Sequence, residues 1–197
     1  MSLAAEEILE LSEQVLRSSN KVKGIEAEMV TAIALIESSG NVKAYRYEEH
    51  LGEASSGLTQ LLQSTAKWLA EDLSYDEYEL DLYQPASSLY FCAAYLCWLK
   101  TYKSVTRSDE FVVRGYNGGP NGVNLEATVP YWNKYKQALE TVLSLGTQGA
   151  KKQRVICPGD TFYGIAKDLG IALEDLLAAN AGVDPTKLVV GQAINLP

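Results

Sequence analysis

The stretch from Ser144 to Gln153, Ser-Leu-Gly-Thr-Gln-Gly-Ala-Lys-Lys-Gln, is small or polar, holds two glycines and shows no apolar periodicity. That is the composition of a linker, placed at 144–153. It divides the chain of 197 residues into a region of ordinary domain size, 1–143, and a short module, 154–197. Each side must then bury a core of its own. The division also sorts the charge: residues 1–150 hold 12 Lys and Arg against 20 Asp and Glu, whereas residues 151–197 hold 5 of each. The whole net charge of −8 sits on the first region, which argues against a broad electrostatic grip on nucleic acid or anionic lipid.

The first region reads as mostly helical. Ile25, Met29, Ala32, Ile33 and Ile36 recur at i, i+4, i+7, i+8 and i+11, an apolar stripe that ends near Ser38-Ser39-Gly40, where Gly40 can take the left-handed C′ position. Leu61, Leu62, Thr65, Trp68 and Leu69 repeat the pattern, in a helix opened by Ser55 to Gln60. Residues 86–103, 108–115 and 130–143 are further helical candidates; the segment from Tyr45 to Glu53 reads as a loop, and no run of alternating strands is visible. The longest apolar run, Leu89 to Leu99, has 11 residues, well short of the roughly 18 that suggest a membrane span, and predicts a buried helix instead. In the module, Val155-Ile156, helix-sized stretches at 161–169 and 173–180, and Ala193 to Leu196 suggest strand, helix, helix, strand. The expected class is α+β, a largely α-helical domain followed by a small βααβ module.

Cys92 and Cys97, five apart on one helical run, face different ways, and Cys157 lies far along the chain. With one histidine, His50, and no paired Cys or His ligands, no metal site and no cofactor are expected. Met1-Ser2-Leu3 leads into Glu6-Glu7 with no basic start and no apolar h-region, so no secretory signal is read and the compartment stays open.

One carboxylate stands out. Glu37 follows Ile36 in the last turn of the apolar helix, where partial burial and the negative end of the helix dipole both raise its pKa above the usual value of about 4.3. A proton held to about pH 6 is what a general acid for a glycosidic oxygen needs.

The order Glu37-Ser38-Ser39-Gly40, Gly57-Leu58-Thr59-Gln60, then Tyr116-Asn117-Gly118-Gly119-Pro120 resembles the soluble lytic transglycosylase and goose-type lysozyme family over about residues 22–140. The resemblance implies a lysozyme-like, largely helical fold. It makes Glu37 the catalytic acid, Ser56, Gly57 and Gln60 the cleft wall, and puts Tyr116 and Asn117 close to the scissile sugar. Tyr90 is a weaker candidate for the tyrosine that family members place near the catalytic Glu. Tyr131 and Tyr135, four apart on one helical face, read as packing residues. The acidic run Glu71 to Asp81 reads as a solvated connection.

The chain departs from the family pattern in three places: Thr59 stands for the usual Met, Gly115 for Ala, and Leu62 for the Asp of goose-type lysozymes. Inverting hydrolysis needs a second carboxylate about 6.5 to 9.5 Å from the first to activate water. Without that Asp, the resemblance leans towards transglycosylation of the β-1,4 MurNAc-GlcNAc bond to a 1,6-anhydro product, although Glu48 or Glu49, with Glu53 behind them, could supply hydrolysis. A chitinase or lysozyme-type hydrolase, or a non-catalytic glycan-binding protein, are the alternatives.

The module, from Arg154-Val155-Ile156-Cys157-Pro158-Gly159-Asp160-Thr161 through Asn180, Leu188 and Gly191-Gln192 to Leu196-Pro197, resembles a LysM domain. The resemblance implies binding of N-acetylglucosamine glycans, in peptidoglycan or chitin, through Gly159, Asp160, Thr161 and Phe162 and through the loop from Asn180 by way of Asp184 to Leu188. Arg154 stands where an aromatic residue is usual. A wall-directed activity would place the protein outside the cell or in a periplasm.

Overall fold

The computed structural model of the chain describes residues 2–148, 153–156, 159–189 and 192–196. Cys157, Pro158 and Gly191, read above as part of the module's motif, lie outside the described residues, as does 149–152 of the expected linker. Two compact units emerge, Met1–Ser144 and Leu145–Pro197.

In the first unit α4 (Pro85–Lys100) forms the centre. It is apolar on nearly all sides, and α1 (Ala5–Ser18), α2 (Ala27–Ser38), α3 (Gln63–Glu71) and α5 (Asp109–Gly118) pack against it. The chain closes with α6 (Val129–Gln148), which continues through residues 144–148 of the segment read as linker. Ile33, Leu89, Leu96 and Leu99 are fully buried, a burial that stabilises by about 1.5 to 3 kcal/mol for each such side chain. The α1 helix, not singled out above, has its own local signals: Glu6 and Glu7 in the first turn, the Glu7 carboxylate accepting Ala4 N–H at 2.7 Å, and Ile8 and Val15 turned inward.

The sheet corrects the loop reading of Tyr45 to Glu53 and the helical reading of Ser55 to Leu62. β1 (Tyr45–Glu48), β2 (Glu53–Ser56) and β3 (Leu61–Leu62) form an antiparallel sheet in that order, with Arg46 opposite Ser55, Glu48 opposite Glu53, and Ser55 opposite Leu62. Tyr45, Arg46 and Tyr47 are all exposed, so β1 lacks the alternation of apolar and polar residues that betrays a half-buried strand. Gly57 to Gln60 make a turn, and the helix starts only at Gln63. Glu53 anchors that start, accepting Ser64 N–H at 3.2 Å and Ser64 Oγ–H at 2.6 Å.

The second unit has the expected order. β4 (Gln153–Val155) pairs antiparallel with β5 (Ala193–Asn195), and α7 (Phe162–Leu169) and α8 (Leu173–Ala179) lie between them in sequence. Its core is Ile156, Phe162, Ile165, Ala166, Leu176 and Ile194.

Candidate active site

The α2 helix is buried from Met29 to Ala34 and half-buried across Leu35 to Ser38, so its last turn emerges from the core with Glu37 at the rim. The chain then turns sharply: Ser39 is left-handed (φ 51°) and Gly40 has φ 80°. A Cβ on Gly40 would stand 2.2 Å from the Leu3 carbonyl oxygen, so only glycine fits. The Glu37 carboxylate takes one close donor, the hydroxyl of Tyr131 on α6, at 2.6 Å from Oε1. Burial raises the Glu37 pKa above the usual carboxylate value; the Tyr131 bond and the Arg46 charge oppose that rise, and the Glu48 charge adds to it. The phenol of Tyr131 is itself pushed well above its usual range by burial and by the Glu37 charge, so it stays a neutral donor.

Tyr131 corrects two expectations. Tyr90, expected near the catalytic Glu, is 0% exposed, its ring packs on Tyr78 and Phe91, and its hydroxyl accepts the Glu77 N–H at 3.4 Å. Tyr131, read as packing, carries the contact, while its helical neighbour Tyr135 is buried. No local signal marks Tyr131, which lies 94 residues from Glu37.

The hairpin brings up the next group. Arg46 donates from Nε and Nη2 to Glu48 Oε1 at 2.7 and 2.6 Å. Ser55 Oγ stands 3.4 Å from the same oxygen and 3.1 Å from Gln60 Oε1, and Gln60 Nε2 donates to the Gly57 carbonyl at 3.1 Å. Of the possible second carboxylates, Glu48 therefore belongs to this cluster. Glu49 lies exposed in the hairpin turn, and Glu53 caps α3.

The wall motif is mostly structural support. Gly57 has φ 74°, and a Cβ there would sit 1.8 Å from the Leu82 carbonyl oxygen. Ser56 is buried with Oγ 3.4 Å from Tyr83 Oη, and buried Thr59 bonds Ser88 through Oγ1 at 3.0 Å. Tyr116, expected beside the sugar, is buried and donates its hydroxyl to the Thr59 carbonyl at 2.9 Å, which holds the 57–60 turn from below. Asn117 is exposed on α5. At Gly115 a Cβ would meet Leu99 Cδ2 at 3.0 Å, which gives the departure from Ala a packing reason.

In the second unit, two expected ligand contacts are consumed by the fold. Phe162 is 3% exposed in the core. Asn180 is buried, donates Nδ2 to the carbonyls of Leu176 (2.8 Å) and Asn195 (2.6 Å), and accepts Asn195 N–H at 2.7 Å. It clamps the end of α8 to β5. Thr161 caps α7 by accepting Gly164 N–H at 3.0 Å, and Gly159 takes φ 86° at the turn. Asp160 pairs with Arg154 at 3.2 Å. Asp184 accepts Thr186 N–H and Oγ–H at 2.9 and 2.7 Å, and Leu188 packs partly buried on the core. Gly159 and Thr161 on one side and Asp184 on the other remain exposed.

Among the described residues no cluster of His, Cys, Asp or Glu is arranged to hold a metal, and no helix is long and apolar enough to cross a membrane. Cys92 and Cys97 are free thiols.

Comparison with known proteins matches residues 14–139 to the transglycosylase SLT domain and residues 155–197 to the LysM domain. Over 49 residues the chain is 43% identical to the secreted LysM effector ELP2 of Colletotrichum higginsianum, covering 25% of this chain and 28% of that protein. Over 44 residues it is 50% identical to the secreted LysM effector slp2 of Pyricularia oryzae, covering 22% and 15% respectively. The chain thus spans less than a third of either relative. A solved lysozyme from Tapes japonica aligns with a TM-score of 0.44 at 22% identity, over 56% of this chain and 87% of that one.

Proposed function

The chain belongs to the transglycosylase SLT domain family, with a LysM domain behind it, and from that premise we propose that it is a peptidoglycan lytic transglycosylase. It cleaves the β-1,4 bond between N-acetylmuramic acid and N-acetylglucosamine, and Glu37 serves as acid and then as base. Protonated Glu37 gives its proton to the glycosidic oxygen as the bond to C1 breaks, with the N-acetyl group of the muramic acid assisting. The resulting carboxylate then takes the proton of the sugar's C6 hydroxyl, whose oxygen bonds to C1. The product is a 1,6-anhydro sugar, and no water is consumed.

The observation that carries this reading is the state of Glu37: a half-buried carboxyl held above its usual pKa chiefly by burial, with one neutral donor, Tyr131, 2.6 Å away. Burial keeps the proton available for the first step, and the phenol hydroxyl stabilises the carboxylate that the second step needs. Leu62 at the position of the goose-type Asp, Glu49 in an exposed turn, Glu53 committed to a helix cap and Glu48 paired with Arg46 all argue against a ready base for water. The module anchors the enzyme to N-acetylglucosamine glycan through the exposed loops around Gly159 and Thr161 and around Asp184.

One observation favours a second reading. Glu48 shares a face of the hairpin with Ser55, which reaches Gln60 of the motif turn, and its charge acts on Glu37, so Glu48 is the candidate base for an inverting hydrolase. The mass of the products on purified peptidoglycan separates the two: the anhydro sugar supports transglycosylation, and a product heavier by one water supports hydrolysis. Glu37→Gln should abolish both, and turnover retained by that variant would refute either assignment.

A further inference from the structure

The hairpin sets three polar side chains on one face. Side chains alternate along a strand, so Arg46 and Glu48 share a face, and Ser55, opposite Arg46 in the register, joins them. Arg46 brings two N–H donors, Nε and Nη2, to a single oxygen of Glu48, Oε1, at 2.7 and 2.6 Å. Ser55 has one hydroxyl proton, and its nearer acceptor is Gln60 Oε1 at 3.1 Å rather than Glu48 at 3.4 Å. Arg46 is therefore the partner that fixes where the Glu48 carboxylate points. The core does not impose this pairing, since the Arg46 side chain is 69% exposed and Glu48 16%. An exposed pair of this kind adds little to stability. Its position is what matters: Ser55, on the same face, stands 3.4 Å from Glu48 Oε1 and 3.1 Å from Gln60 Oε1 of the motif turn, and the two charges act on Glu37 in opposite senses.

We propose that Arg46 is a positioning residue that biases the product: by drawing the Glu48 carboxylate into a two-donor ion pair it fixes where that carboxylate points and weakens it as a base for water, and so favours the anhydro course. The inference rests on the transglycosylase reading above. In the course that Arg46 suppresses, Glu37 donates its proton to the glycosidic oxygen and the bond from that oxygen to C1 breaks. A water oxygen bonds to C1, and Glu48 takes the proton that water gives up. The sum is hydrolysis, one water added per bond cleaved. In the course it permits, the C6 oxygen bonds to C1, Glu37 takes the C6 hydroxyl proton, and nothing is added. The two courses share the first step and differ only in which oxygen is deprotonated and by which carboxylate.

The test is mass spectrometry of purified peptidoglycan digested by the full chain and its variants. Wild type should release anhydro products. Arg46→Ala should raise the hydrated share several-fold, up to about fivefold, the population shift that losing a partly exposed ion pair allows. Arg46→Met, which keeps the aliphatic stem against the strand, should do the same and guards against a folding loss. Adding Glu48→Gln to either variant should restore the anhydro product, a rescue that no merely structural role of Arg46 would give. Anhydro product alone from both Arg46 variants would overturn the inference and leave the transglycosylase reading intact. Hydrated product that persists after Glu48→Gln would overturn the part given to Glu48. Hydrated product from wild type would sink the transglycosylase reading itself, and this inference with it.

Discussion

Both units spend most of their motif residues on the fold, and they differ in what is left over. In the first, a half-buried ionisable group is left at the rim of the core: Glu37 keeps a carboxyl that, among the described residues, takes a close donor from Tyr131, 94 residues along the chain. In the second, motif residues are spent on the fold itself, with Phe162 in the core, Asn180 bonded through both ends of its amide, and Thr161 capping α7. A module this small has little core to hold it, so its polar residues act as clamps. A larger core can hold a carboxyl at its edge in an unfavourable state, and chemistry draws on that state. A motif match in a small module therefore marks residues that fold first and bind only where a side chain stays exposed.

The sharpest way to break that contrast is Glu37→Gln. Turnover on purified peptidoglycan should fall by about 10² to 10⁴. The same variant should be more stable than wild type at neutral pH. Because the folded pKa of Glu37 is raised by burial, the folded protein bears the penalty of a buried carboxylate only above that pKa. The gain in Tm should shrink as pH falls towards the ordinary carboxylate value of about 4.3, and a variant less stable at every pH would contradict the burial argument.

Asn180→Ala tests the other side. It removes the amide that bonds to the Leu176 and Asn195 carbonyls and to the Asn195 N–H, so the module should lose about 1 to 3 kcal/mol and its binding to N-acetylglucosamine oligomers. Cleavage of soluble glycan fragments by the same protein should be unchanged. If binding survives with stability intact, Asn180 is not a clamp.

Tyr131→Phe removes the hydroxyl donor to the Glu37 carboxylate, an interaction worth about 1.5 to 3 kcal/mol when the acceptor is charged. Turnover should fall by about tenfold or more, and the alkaline limb of the pH profile should move up, because the bond that lowers the Glu37 pKa is gone. A limb that moves down would show that the sign is wrong.

The smallest effect is expected for Arg154→Ala. The Arg154–Asp160 pair is partly exposed, and such pairs contribute about 1 kcal/mol or less. An aromatic residue at 154 should strengthen glycan binding more than alanine does, measurable by calorimetry with N-acetylglucosamine oligomers.

Much of this was legible in the chain and some was not, for reasons that can be named. The helices expected at 86–103, 108–115 and 130–143 and the βααβ order of the module follow from apolar spacing, which the sequence states directly, although the last helix runs on to Gln148 through residues that read as linker. The hairpin escaped notice because β1 is exposed on both faces and has no apolar alternation, and Leu61-Leu62 were absorbed into the helix that follows them. Tyr90 and Tyr131 exchanged roles for the same kind of reason: a tyrosine within an apolar helix is equally consistent with a core or a cleft until its neighbours are known.

What the sequence determined alone was local: the stripe that makes α2, the place of Glu37 in its last turn, the glycines at 40 and 57, and the split of charge between an acidic region and a neutral one. Periodicity and backbone permission act within a few residues, so they are written where they operate. Tertiary structure alone decided which tyrosine meets Glu37, and that Phe162 and Asn180 serve the fold. Contacts between residues far apart in the chain form only when the core closes, and no short stretch of sequence carries them.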